Sequence, residues 1–222
     1  MNLEKYSKLY NEAIFDTDCE RALKVVRDAM DAGIKPEDVT MRMVLPAMDL
    51  MVKSISEDFE ANLAQHFLTA RIADIVTAEI MGKFKQLPTA IGRIVIGTAS
   101  GDFHTLGKRI VIGCLKARMI DVIDLGINVP AERFVDEAVA QQATVIGISA
   151  LMIHTATGDN GCRKVRQILE QRQLQNKIRI IIGGAPFRFN PELYKIVGAD
   201  TWAPDAVTAG KIIENMLREV QS

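Results

Sequence analysis

With 222 residues, 48% hydrophobic and 25% charged, the chain has the composition of one large or two small globular domains. Its 27 Lys and Arg against 28 Asp and Glu leave a formal charge of -1 with the signs interspersed, which argues against nucleic-acid or membrane-surface binding. Cys19, Cys114 and Cys162 are odd in number and far apart, with no C-x-x-C pair, so a disulfide framework, a zinc site or an iron–sulfur site is not expected.

The first segment, MNLEKYSKLYNEAIF, is amphipathic and acidic, unlike a signal or transit peptide, and with the cysteine pattern it points to a reducing cytoplasm. Its spacing predicts a helix over Leu3 to Phe15. TDCERALKVVRDAMDAG predicts a second, with Thr17 or Asp18 as cap and Gly33 as stop. A third begins with Pro36 in its first turn and should be kinked or divided at Pro46. A fourth is expected from about Glu57 to Phe84. Helices of this kind are stabilised by packing their apolar faces into a bundle. Met41, Met43, Met48 and Met51 fit the core of that bundle. At GKFKQLPTA the helical pattern stops, and Pro88 marks the expected boundary between a helical domain, 1–88, and a second domain, 89–222.

From there strands near 93–99, 119–125, 144–150, 178–183 and 200–203 alternate with helices near 105–118, 131–142, 159–173, 190–197 and 205–219. Continuous apolar runs such as IVIG and RIIIGG suit a parallel sheet covered on both faces. The expected fold class is therefore α/β: an N-terminal four-helix bundle, then a flavodoxin-like doubly wound five-stranded parallel sheet in the order 2-1-3-4-5. Its crevice should open at the switch between strands 1 and 3.

Unusual residues fall at the ends of three of these strands. GRIVIGTAS runs into the heptad GDFHTLG, which presents His104 on a strand-to-helix loop with Asp102 close enough to bond one ring nitrogen. A carboxylate behind a histidine in this way is the usual support of a metal-binding imidazole. TVIGISAL delivers Ser149 and Leu151, and KIRIIIGG delivers Gly183 and Gly184. Alone, D-x-H is most often a surface pair and GG most often a turn; together and in order they carry more. No G-x-G-x-x-G follows a strand and no GK[ST] occurs, so neither a dinucleotide fingerprint nor a P-loop is present.

At these residues the chain resembles the cobalamin-binding domain family, whose signature DxHxxG, SxL, GG is matched by Asp102, His104 and Gly107, then Ser149 and Leu151, then Gly183 and Gly184. Within that family it is most similar to the small corrinoid proteins of methyltransferase systems, which carry an amino-terminal helical bundle. The segment GGAPFRFNPELYKIVGADTWAPDA also looks like theirs, and the resemblance covers nearly the whole chain.

The resemblance implies cobalamin or a related corrinoid as cofactor, with His104 as the lower ligand of its cobalt and Asp102 behind it. Thr155 stands where the family often extends this relay to a hydroxyl, although it also reads as a helix cap. Gly107 would let loop and helix approach closely, and Gly183 and Gly184 would clear a slot for the displaced nucleotide tail. Ser149 would hydrogen-bond the tail, and Leu151 would pack on it. Function would be that of a non-catalytic corrinoid carrier, which accepts a methyl group from a donor-specific methyltransferase and passes it to an acceptor methyltransferase. A reductive activase would be a further partner; nucleic acid and membrane would not. The alternative is a cobalamin-dependent sensor, disfavoured because no DNA-binding or output module is visible. Phe103, Thr105 and Ile153 depart from the family pattern, as does LPAMDLMVKSISEDFEANLAQHF in the helical half. His66 and His154 are further candidates for contact with the cofactor.

Overall fold

The computed structural model describes residues 3–48, 50, 63–81, 83 and 90–219. It divides into two compact units: Met1–Thr89 with Gly113–Met119, and Ala90–Ile112 with Ile120–Ser222.

In the first unit α1 spans Leu3–Phe15 and α2 spans Cys19–Asp31. Asp18, and not Thr17, caps α2, accepting the Arg21 main-chain N–H at 2.9 Å. At its other end Gly33 and Ile34 donate back to the Met30 and Ala29 carbonyls, which closes the helix where the sequence places its stop. Next come α3, Pro36–Val39, a π-helical turn, Thr40–Val44, and a helical stretch over 45–48. Pro46 thus perturbs this helix without dividing it. Having no N–H, it cannot serve the Arg42 carbonyl, and its ring crowds that group. The chain widens instead, so that the Leu45 N–H reaches Thr40, and the Ser7 hydroxyl lies 3.4 Å from the freed Arg42 carbonyl. α4 spans Leu63–Met81; the rest of the predicted fourth helix, Met51 and the His66 side chain lie outside the described residues.

Tyr10, Ile14, Val26, Val44, Val76 and Ile80 are fully buried and supply the core of this unit. Met43 and Met48 join it as expected, whereas Met41 is exposed. Arg27 reaches across to Glu79 with two hydrogen bonds, at 2.5 and 2.7 Å.

From residue 93 on, strands and helices alternate as predicted. β1 (Arg93–Thr98), α5 (Leu106–Ala117, whose residues from Gly113 on fall in the first unit), β2 (Asp121–Gly126), α6 (Ala131–Ala140) and β3 (Val145–Ser149) are followed by α7 (Ile153–Thr157) and α8 (Cys162–Gln171). β4 (Arg179–Gly183), α9 (Ala185–Phe189), α10 (Leu193–Ile196), β5 (Thr201–Ala203) and α11 (Ala206–Glu219) complete it. All strands are parallel, in the order β2-β1-β3-β4-β5, which is the doubly wound flavodoxin-like order. Two local readings are corrected. The helix predicted over 190–197 is the shorter α10, Leu193–Ile196; α7 and α9 were not anticipated, because five residues are too few for a helical period to show.

The apolar strand runs form a core in which Val95, Ile146, Ile148, Ile180 and Ile182 pack with Phe134, Leu169 and Phe187. Register fixes what emerges at the strand ends. Thr98 pairs with Ser149, and Ser149 pairs with Gly183, so the three signature segments leave the sheet from one rung.

Candidate functional site

Asp102 is the centre of the site and is only 1% exposed. Its Oδ1 accepts the His104 main-chain N–H and lies against the His104 ring Nδ1, both at 2.9 Å. Its Oδ2 accepts the Leu151 N–H at 2.6 Å and faces the Thr155 hydroxyl at 2.9 Å. Burial alone would push this carboxyl up. The main-chain N–H groups of His104 and Leu151, with the His104 ring and the Thr155 hydroxyl, hold it below the usual carboxylate range. Nδ1 is the ring nitrogen that faces the ionised Asp102 and donates to it, which leaves Nε2 as the other nitrogen of a side chain 54% exposed.

Thr155 is buried and is not a helix cap, being the third residue of α7. Its hydroxyl lies 2.9 Å from both Asp102 Oδ2 and the Met152 carbonyl, so its one proton serves either. Leu151 contributes its main chain to Asp102 and leaves its side chain 43% exposed. Ser149 is half-buried on the common rung. His154 is exposed on α7, with its main-chain carbonyl accepting the Gly158 N–H.

The three glycines differ in what surrounds them. Gly184 has φ 129°, and a Cβ there would stand 1.9 Å from the Ala150 carbonyl oxygen; this position is closed to any side chain by the neighbouring strand end. Gly183 is freer, its nearest contact being the Ala203 oxygen at 3.5 Å. A Cβ at Gly107 would meet nothing within 4 Å beyond its chain neighbours and its own helix backbone, so open space lies beside the His104 loop there.

Sequence reasoning missed a second set of residues. Thr98, fully buried at the end of β1, donates from Oγ1 to the Asp102 carbonyl at 2.5 Å, and Asn128, after β2, bonds the same loop. Lys108, only 3% exposed, pairs with Asp124 at the end of β2. A threonine closing an apolar strand, an asparagine following Gly126 and a lysine beginning an apolar helix were the available signals, and each is common elsewhere.

A flat apolar ring with a central metal fits what these residues offer. The loops after β1, β2 and β3 expose Phe103 (62%), Ile127 (42%), Leu151, Met152 (44%) and Ile153 (58%), a concentration of large apolar side chains that water does not favour. The half-exposed His104 stands on the first of these loops. Among the described residues no three of His, Cys, Asp and Glu converge as metal ligands. A doubly wound parallel sheet presenting an aspartate-held histidine at its switch point belongs to the class of α/β domains that bind a ligand beyond their strand ends.

The comparisons agree. A family model for the B12 binding domain matches residues 92–210. Monomethylamine corrinoid protein 2 of Methanosarcina mazei is 30% identical over 227 residues, covering 98% of this chain and 99% of that protein. Trimethylamine corrinoid protein 1 of the same organism is 30% identical over 211 residues, covering 92% and 94%. The crystal structure of a cobalamin-binding protein from Desulfitobacterium hafniense DCB-2 superposes with a TM-score of 0.73 at 24% identity, covering 93% of this chain and 96% of that one, and shows the same fold. The chain belongs to the B12-binding domain family and, along nearly its whole length, to its corrinoid proteins.

Proposed function

We propose that this protein is a corrinoid carrier, which accepts a methyl group from a donor held by one methyltransferase and passes it to a second. The observation that supports the reading is the pairing of His104 Nδ1 with a buried, ionised Asp102, which would leave Nε2 as the nitrogen able to hold a metal. When bound, the corrinoid supplies a cobalt centre that takes up and releases a methyl group as its oxidation state changes.

The chain's own residues hold that cofactor and manage a proton. His104 would supply the protein's ligand to that cofactor, and Asp102 would fix the imidazole's tautomer and orientation. Thr155, within reach of both Oδ2 and the Met152 carbonyl, would turn its hydroxyl between them as the demand on the Asp102 carboxylate changes. Ser149 and the backbone at Gly183 and Gly184 line the path of the nucleotide tail, Leu151 packs on it, and Gly107 leaves room beside the loop. We take 1–88 as a helical domain and 89–222 as the cofactor domain. Further partners are the donor-specific methyltransferase, the acceptor methyltransferase and a reductive activase. Three free cysteines support a cytoplasmic site. Among the described residues no helix is long and apolar enough to cross a membrane.

The test is transfer of an isotopically labelled methyl group. With reduced corrinoid and the methyltransferase encoded beside it, the chain should retain label through gel filtration and release it only to the acceptor enzyme; H104A should transfer poorly. A chain that binds corrinoid, never takes up label and changes its hold on a regulatory partner is a sensor instead.

A further inference from the structure

Asp102 is gripped from two sides. Its carboxylate is tied to the loop after β3, through Leu151 and Thr155. Its main chain is tied to the loop after β2, and most of that grip belongs to Asn128. The Asn128 N–H lies 3.0 Å from the Asp102 carbonyl and 2.8 Å from Thr98 Oγ1, and the amide Oδ1 accepts the Gly101 N–H at 2.8 Å. One residue therefore touches the last residue of β1, the turn that follows and the carbonyl of the aspartate itself.

Two details make this an arrangement for geometry more than for stability. Asn128 has φ 50°, a left-handed conformation for which glycine is the default and asparagine the best of the rest, so its side chain is what distinguishes it from glycine here. Gly101 has φ 80° and is exposed, so water would satisfy its N–H if the amide oxygen were removed. Two residues on, the direction of the His104 ring is set by Asp102 Oδ1 at both its main-chain N–H and Nδ1. Any swivel of the main chain at 101–102 is transmitted to Nε2. Glycine is the softest point at which such a swivel could begin.

We propose that Asn128 is a positioning residue for the metal: by clamping Gly101 and the Asp102 carbonyl it fixes the direction in which His104 presents Nε2. This rests on the reading of His104 as the axial ligand. Asn128 touches neither imidazole nor cofactor in this role. It acts through the main chain of the aspartate, as outer partners of metal-bound histidines do.

The experiment uses the full chain and cobinamide, a corrinoid without a nucleotide tail and hence without a base of its own. N128G keeps the backbone conformation and loses the amide, N128D keeps an oxygen acceptor for Gly101, and H104A removes the ligand. Cobinamide affinity, nitrogen hyperfine coupling in the cobalt(II) paramagnetic-resonance spectrum and thermal melting are measured for each. N128G should bind about tenfold more weakly and show a broadened nitrogen coupling at an unchanged melting temperature. N128D should restore both. If N128G matches the unsubstituted protein in affinity and coupling while H104A loses the coupling, the ligand reading stands and the role of Asn128 is overturned. If N128G melts lower and N128D does not rescue it, Asn128 is only structural and the proposal is likewise overturned. If H104A leaves the coupling intact, the ligand reading itself fails and this inference falls with it.

Discussion

Asp102 in the sheet unit and Glu79 in the helical unit are both held below the usual carboxylate range, by unlike means. Asp102 is out of water, and four donors hold it against a burial that alone would push it up. Glu79 is held mainly by the hydrogen bonds from Arg27, an exposed partner, and partial burial opposes this only in part. The lesson is about where loss of a partner is felt. At the buried aspartate every donor removed leaves an unanswered polar group; at the helix surface water takes the place of what is lost. Strand ends gather costly, specific bonds, and the helical unit spreads its stability over apolar packing.

The largest effect expected is at the strand ends. G184A must push the Ala150 carbonyl aside from a strained φ, and should lose about 4 kcal/mol or more of stability, or fail to fold. G183A, one residue away with its nearest contact at 3.5 Å, should melt within about 1 kcal/mol of the parent. Urea denaturation of the pair decides this; equal losses would mean that the tight approach to β3 does not govern the loop.

Next comes D102N, which turns an amide NH2 toward groups that donate and should cost about 3 kcal/mol. The folded-state value of Asp102 lies below its unfolded one, so its contribution is full above about pH 3.9 and is lost as pH falls through the lower folded value. The difference between D102N and the parent should close only in that acid window. A constant difference across it would show that the charge is not what stabilises the loop.

T155V removes one of two donors to Oδ2 and should cost about 1 kcal/mol. Cobalt(II) spectra should still show nitrogen coordination. E79Q should have the smallest effect, below that of T155V, weakened further by salt and absent below the folded value of Glu79, where the parent has lost the same charge. If E79Q destabilises as much as D102N in thermal melts, the contrast between the two units is wrong.

Much of this protein was legible because the signals are periodic or local. The runs at β1, β3 and β4 announce buried parallel strands, and Asp18 and Gly33 announce the ends of α2. Asp102 and His104, two residues apart, could be paired without knowing the fold. Pro46 was legible as a disturbance but not as a π-turn, because the answer depended on whether the freed Arg42 carbonyl could find Ser7 on another helix.

By itself the sequence determined the strand order, the loop that carries the histidine and the family to which the chain belongs, since apolar period and short motifs follow from neighbours along the chain. Only the tertiary structure decided that Gly184, and not Gly183 or Gly107, is the glycine with no alternative, that Leu151 serves Asp102 through its main chain, and that Asn128 clamps the aspartate from the far loop. Those contacts join segments some 25 to 50 residues apart, at bond lengths set by strand register, and no local pattern encodes which carbonyl will meet which N–H once the sheet has closed.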